Sequence, residues 1–105
     1  MERKRYNVCY STSFNKELVE IVDYLSHTLN KSSVAIKLID ELEEKIKILT
    51  VFPYIFSSQL YNEVLMYKFK IQNYSIFYSV KDSTIIICHI FYSKSNLSNL
   101  LNSIK

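Results

Sequence analysis

The sequence predicts an α+β domain: a small antiparallel sheet in the order β-α-α-β-β-β, closed by a C-terminal helix, with a helical hairpin packed on one face. Three observations carry this expectation. Two stretches with apolar residues at helical spacing are separated by only a few residues, three β-rich runs joined by short turn signals follow, and one short run of β-formers precedes the helices. A chain of 105 residues can bury one core and not two, so residues 1–105 read as a single domain.

The first strand is Tyr6 to Tyr10, "YNVCY". Ser13 is placed to cap a helix beginning at Phe14. Phe14, Leu18, Ile21, Leu25 and Leu29 recur along its inner face, with Glu17, Glu20 and Asp23 outside that stripe and an end near Asn30. "NKSS" is a short turn with Ser32 or Ser33 as the next cap. The second helix runs to about Thr50 and turns Ala35, Leu38, Leu42, Ile46 and Leu49 inward. So short a turn forces the two helices antiparallel. Pro53 ends the segment, because the residue before a proline is pushed out of the helical region.

Tyr54 to about Asn62 reads as a connection. Strands return over Val64–Ile71 and Tyr74–Val80, with a turn at Gln72 and Asn73, and Asp82 and Ser83 lead into Thr84–Tyr92. That last run, "TIIICHIFY", is apolar on both faces and is expected at the centre of the sheet. A tail helix from Asn96 would turn Leu97, Leu100, Leu101 and Ile104 inward. Sequential strands with tight turns form a meander; the helices cover one face, and the other stays free.

Composition narrows the functional classes. Hydrophobic residues at 49% and charged residues at 22% are ordinary for a globular chain. The longest apolar run, Ile85 to Phe91, is interrupted by His89 and too short to span a bilayer. The basic start "MERKR" is followed by no apolar core of a secretion signal. The cytoplasm is therefore the expected compartment, with Cys9 and Cys88 as reduced, buried thiols. His89, in an apolar strand, reads as a hydrogen-bonded core histidine, and His27 as a surface residue. No cofactor or metal is implied. Residues 1–66 carry eight basic and nine acidic side chains, whereas 67–105 carry five basic and one acidic. A polyanionic partner would therefore meet the C-terminal third.

Within that third, "MYKFKIQNYSIFYSV" alternates so that Tyr67, Phe69 and Ile71 share one face and Lys68 and Lys70 the other. Same-face residues two apart stand about 7 Å apart at the backbone. At an effective dielectric of about 20 that separation costs on the order of 2 kcal/mol of repulsion. The pair is therefore either a solvated edge or a place built to hold an anion such as phosphate.

Taken in order, "YNVCYS", the helix "FNKELVEIVDYL", the segment "LNKSSVAIKLIDELEEKIKILTVFP", "YKFKIQNYSIFYSV" and the closing "YSKSN" and "LL" resemble the RelE/ParE family of toxins from bacterial type II toxin–antitoxin pairs. The resemblance covers nearly the whole chain. It implies a small sheet with a helical hairpin, a cognate antitoxin as partner in a toxin–antitoxin hetero-oligomer, and no membrane. It also implies one of two activities: ribosome-dependent cleavage of mRNA, or inhibition of DNA gyrase without nuclease chemistry.

The first, metal-independent activity needs a base at the ribose 2′-hydroxyl, cations around the phosphorane and an acid at the leaving oxygen. On the nuclease pattern, Lys68 and Lys70 would be base and phosphate ligand, Lys94 a transition-state cation, and Tyr92 a stacking or acid group. Only a partly enclosed site would turn one of the lysines into a base. Ser75 stands where family nucleases carry an arginine, and Leu100 near their C-terminal tyrosine. The lysine pair makes ribosome-dependent mRNA cleavage the expected mechanism, and those departures leave open gyrase inhibition, which the long hairpin favours, or a degenerate toxin that only binds its antitoxin.

Overall fold

The computed structural model describes residues 5–93. Strand β1 (Asn7–Tyr10) leads into α1 (Thr12–Asp23), which widens into a π-helical turn at Tyr24–Thr28 before α2 (Ser32–Val51) returns. Four strands follow: β2 (Ser58–Tyr61), β3 (Val64–Ile71), β4 (Tyr74–Lys81) and β5 (Thr84–Tyr92). The sheet order is β1-β5-β4-β3-β2. The tail helix, Lys94 and Leu100 lie outside the described residues.

The α+β class, the helical hairpin and the meander are as the sequence predicts, with three differences in the sheet. First, the sheet is mixed, because β1 runs parallel to β5 and pairs Asn7 with Thr84 through Tyr10 with Ile87. Alternation says which face a residue takes and nothing about strand direction. Second, the expected connection contains β2, an antiparallel partner of β3 from Ser58↔Tyr67 to Tyr61↔Val64. Its sequence, Ser-Gln-Leu-Tyr, is almost wholly exposed and carries no apolar alternation to reveal it. Third, β4 and not β5 is central, although β5 is paired on both sides.

The helices depart in their ends. Ser11 caps α1, its hydroxyl accepting from the Phe14 amide at 3.0 Å while donating to the Cys88 carbonyl at 2.7 Å. One side chain thus starts the helix and ties it to β5, and Ser13 is left exposed. In the π-turn the Leu29 amide reaches the Tyr24 carbonyl five residues back. The extra residue rotates the stripe, burying Leu25 but leaving Leu29 exposed. On α2 all five expected residues are buried, and Lys31, with no side-chain cap, stands at its N-terminus.

The core lies between the hairpin and one face of the sheet. Phe14, Leu38 and Leu49 meet Phe69, Ile76, Tyr78, Ile85 and Ile87, nearly all without exposed surface. A fully buried aliphatic side chain contributes about 1.5–3 kcal/mol relative to exposure, so this layer dominates stability. Tyr78 brings a hydroxyl inside and donates it to the Pro53 carbonyl at 2.8 Å. Burial, then the neighbouring Tyr67, raises that hydroxyl's pKa above the ordinary tyrosine range.

There is no glycine to take left-handed backbone. Asn30, Asn62, Glu63, Gln72 and Asp82 adopt positive φ instead, and three of the four corners they make join strands: Asn62–Glu63, Gln72 and Asp82. Paired positive φ at Asn62 and Glu63 fits the type I′ turn that two-residue hairpins favour. Among the described residues no helix is long and apolar enough to cross a membrane. Both cysteines are free, but neither is fully buried as expected: Cys88 is half-buried, and Cys9 is exposed because the short β1 lies at the edge of the sheet.

Candidate functional site

The sheet has two faces, and β3 divides its residues between them as the alternation requires. Tyr67, Phe69 and Ile71 pack toward the helices. Lys68 and Lys70 point to the far face, where their cross-strand neighbours are Phe77 and Ser75. Lys68 is half-buried and Lys70 exposed, so water screens their repulsion and no enclosed pair forms. Ser75 is fully buried, its hydroxyl 3.0 Å from that of Ser93. Around them the far face is apolar: Met66 and Phe77, with Tyr61, Cys88 and Phe91 packed against them. The Cys88 thiol is raised above its ordinary pKa chiefly by burial, with the Ser79 hydrogen bond opposing.

Tyr92 is elsewhere. It pairs with Tyr74 in register, on the helix side of the sheet, with ring centroids 5.7 Å apart and nearly perpendicular. The fold brings Lys68 and Lys70 together and puts Tyr92 on the opposite face; Lys94 lies outside the described residues. Among the described residues no group of three His, Cys, Asp or Glu side chains could hold a metal.

Sequence reasoning missed a second constellation, at the edge of β5. β1 stops opposite Ile87, so the last five residues of β5 have no strand beside them on the β1 side. Glu17 of α1 takes the strand's place. One carboxylate oxygen accepts the Ile90 amide at 3.0 Å, and the other lies 3.0 Å from Nδ1 of His89. A β-bulge at Phe77/Tyr78 breaks the alternation here, and His89 stacks on Phe91 with centroids 5.2 Å apart. His89 is therefore a buried, hydrogen-bonded histidine, as its apolar strand predicts. Donation from Nδ1 to Glu17 assigns the neutral ring the tautomer with a bare Nε2. His27 is exposed beside Asp23, 2.9 Å away. In the sequence Glu17 is one of three solvated helix carboxylates, and only the mismatch between a four-residue β1 and a nine-residue β5 hints at its role.

Beside this edge runs a groove of about 890 Å³ between α1 with its π-turn and the end of β5. Glu17, Glu20, Tyr24, Lys31, Tyr74 and Tyr92 contribute to its lining. Burial, then the neighbouring Tyr92 and Tyr24, raises the Tyr74 hydroxyl above its ordinary pKa.

The sequence pattern of the ParE toxin of the type II toxin–antitoxin system parDE matches residues 8–97. The chain belongs to the ParE toxin family. Among solved structures, the ParE-family fold described above is similar to a chain of the chromosomal ParDE toxin–antitoxin system from P. aeruginosa, with a TM-score of 0.68 and 18% identity over 87% of this chain and 99% of that one. At that identity the likeness speaks to the fold. No curated protein matches the sequence.

Proposed function

We propose that this ParE-family toxin arrests growth by binding a protein target, DNA gyrase, and that a cognate antitoxin restrains it. The observation carrying this reading is the separation of the cations from the tyrosine. Lys68 and Lys70 face one way, Tyr92 faces the other, and the neighbour of Lys70 is the buried, neutral Ser75. In-line transfer at a phosphodiester needs base, acid and charge stabilisation converging on one phosphate. A binding toxin needs only a stable surface with charges in fixed places. The two lysines, on a rigid strand beside apolar Met66 and Phe77, supply point charges for an acidic patch of the target.

Ribosome-dependent mRNA cleavage is the second reading, favoured by the adjacency of Lys68 and Lys70 on one face. In it the pair acts as base and phosphate ligand, with Lys94 as the added cation and Tyr92 as stacking or acid group. A toxin that has kept only antitoxin binding is the third.

Purified protein titrated into a gyrase supercoiling assay, with transcript ends mapped after expression in cells, separates the three. Inhibited supercoiling with intact transcripts is expected, weakened by Lys68→Ala with Lys70→Ala. Cut transcripts that vanish in that double variant would establish cleavage instead. A chain harmless in both assays would leave only the degenerate toxin.

A further inference from the structure

The groove beside β5 combines features that single out one kind of ligand group. Tyr74 and Tyr92 stand as two walls of a corner, 5.7 Å apart and 69° to one another, and Tyr24 lines the same groove. Glu20 lies on the same lining, exposed, and forms no hydrogen bond or ion pair with another described residue. Its neighbour Glu17 is already committed to His89 and the Ile90 amide. Aromatic faces attract a cation within about 6 Å of their centroids, and a guanidinium can stack on a ring while pairing with a carboxylate. Glu17, Glu20 and Asp23 keep α1 rich in carboxylates although the chain's net charge is +3, and a basic group would read that local field.

We infer that this groove receives an arginine or lysine of the cognate antitoxin, seated among Tyr24, Tyr74 and Tyr92 and paired with Glu20. The inference rests on the toxin–antitoxin reading and specifies the partner's chemistry at one surface. The groove's apolar lining, including Ile21, Leu25 and Val34, accepts the residues flanking that anchor. Lys31 contributes to the same lining beyond the π-turn, its amide donating to the Leu25 carbonyl. The occupant's charges are thus ordered: basic toward Glu20, acidic or carbonyl toward Lys31. At about 890 Å³ the groove sits near the top of the range for small-molecule clefts, about 300–1,000 Å³, and it accommodates several side chains of a peptide segment.

The test uses the full chain co-expressed with the protein encoded beside its gene, reading the complex's dissociation rate. Glu20→Lys and Tyr24→Ala should each speed dissociation at least tenfold, whereas Lys81→Ala, on an exposed strand end, should change it less than twofold. Reversing one basic residue of the partner to glutamate should restore the slow rate with Glu20→Lys and not with Tyr24→Ala. That pairwise rescue separates direct contact from a misfolded variant.

A complex that forms and ignores Glu20 and Tyr24, or a loss that no partner reversal rescues, overturns the inference while leaving the toxin–antitoxin reading intact. Two other occupants would overturn it as well. A homodimer that the groove variants dissociate would assign the surface to a second copy. Faster partner association in full-length Leu100→Ala with Leu101→Ala, without sensitivity to Glu20, would assign it to the chain's own C-terminal segment. If no neighbouring protein binds at all, the toxin–antitoxin reading falls together with the inference.

Discussion

The two faces of the sheet are built to different standards. On the helix side, Ile76, Tyr78, Ile85 and Ile87 are sealed beneath Leu38 and Leu49, and the polar Tyr78 hydroxyl enters only with a carbonyl waiting for it. On the far side two buried residues, Met66 and Phe77, anchor a smaller cluster bordered by lysines and serines. The first face holds the fold together, so its side chains are fixed by packing. The second is freer to vary in charge without loss of the fold, and it is where a surface for a target can be written.

Removing a side chain from the sealed face tests this contrast most severely. Leu38→Ala should lower unfolding free energy by about 2–5 kcal/mol in urea denaturation, because a fully buried leucine leaves a cavity that α2 and the sheet cannot close. Glu17→Ala should cost about 1–3 kcal/mol, since it strips the Ile90 amide and His89 of their acceptor at the boundary between the faces.

Tyr78→Phe should cost about 1–2 kcal/mol by leaving the Pro53 carbonyl without its donor. It should also change the alkaline limb of the stability curve. The folded hydroxyl holds its proton above the ordinary value of 10.0. Above about pH 10 the unfolded chain therefore ionises while the folded chain does not, and stability falls as pH rises. Denaturation between pH 9 and 11 should show a shallower decline in the phenylalanine variant. A matching slope would place the alkaline loss at Cys88, Tyr10, Tyr54 or Tyr74, which are raised as well. The smallest effect belongs to the far face: Lys68→Ala with Lys70→Ala should shift stability by less than about 0.5 kcal/mol. A loss comparable to that of Leu38→Ala would erase the distinction between the faces.

What the sequence made legible follows from where its signals are strong. The stripe on α2 is readable because its five residues are buried in plain helical periodicity. The split of β3 is readable for the same reason with period two. Leu29 falls outside the expected stripe because a π-turn leaves no trace in the apolar spacing. β2 was hidden because four exposed residues are strand only through their partner. Within the candidate site the adjacency of Lys68 and Lys70 could be read from alternation, but their separation from Tyr92 depends on the β4–β5 register and its bulge. Glu17 was least legible of all. Its role exists only once β1 and β5, more than seventy residues apart, lie side by side.

That distance in the chain governs the order of assembly. β3, β4 and β5 are joined by two-residue turns and can pair as soon as they meet, whereas Asn7 must find Thr84 across the entire helical hairpin and meander. Closing so large a loop is slow relative to forming local hairpins. Pulse-labelled hydrogen exchange during refolding should find the amides of β1 and Ile90 protected last. On a ribosome the same logic delays the closure until β5 has been synthesised. A partly made chain would lack its finished edge and the groove beside it, so recognition at that surface would begin only once β5 has left the ribosome.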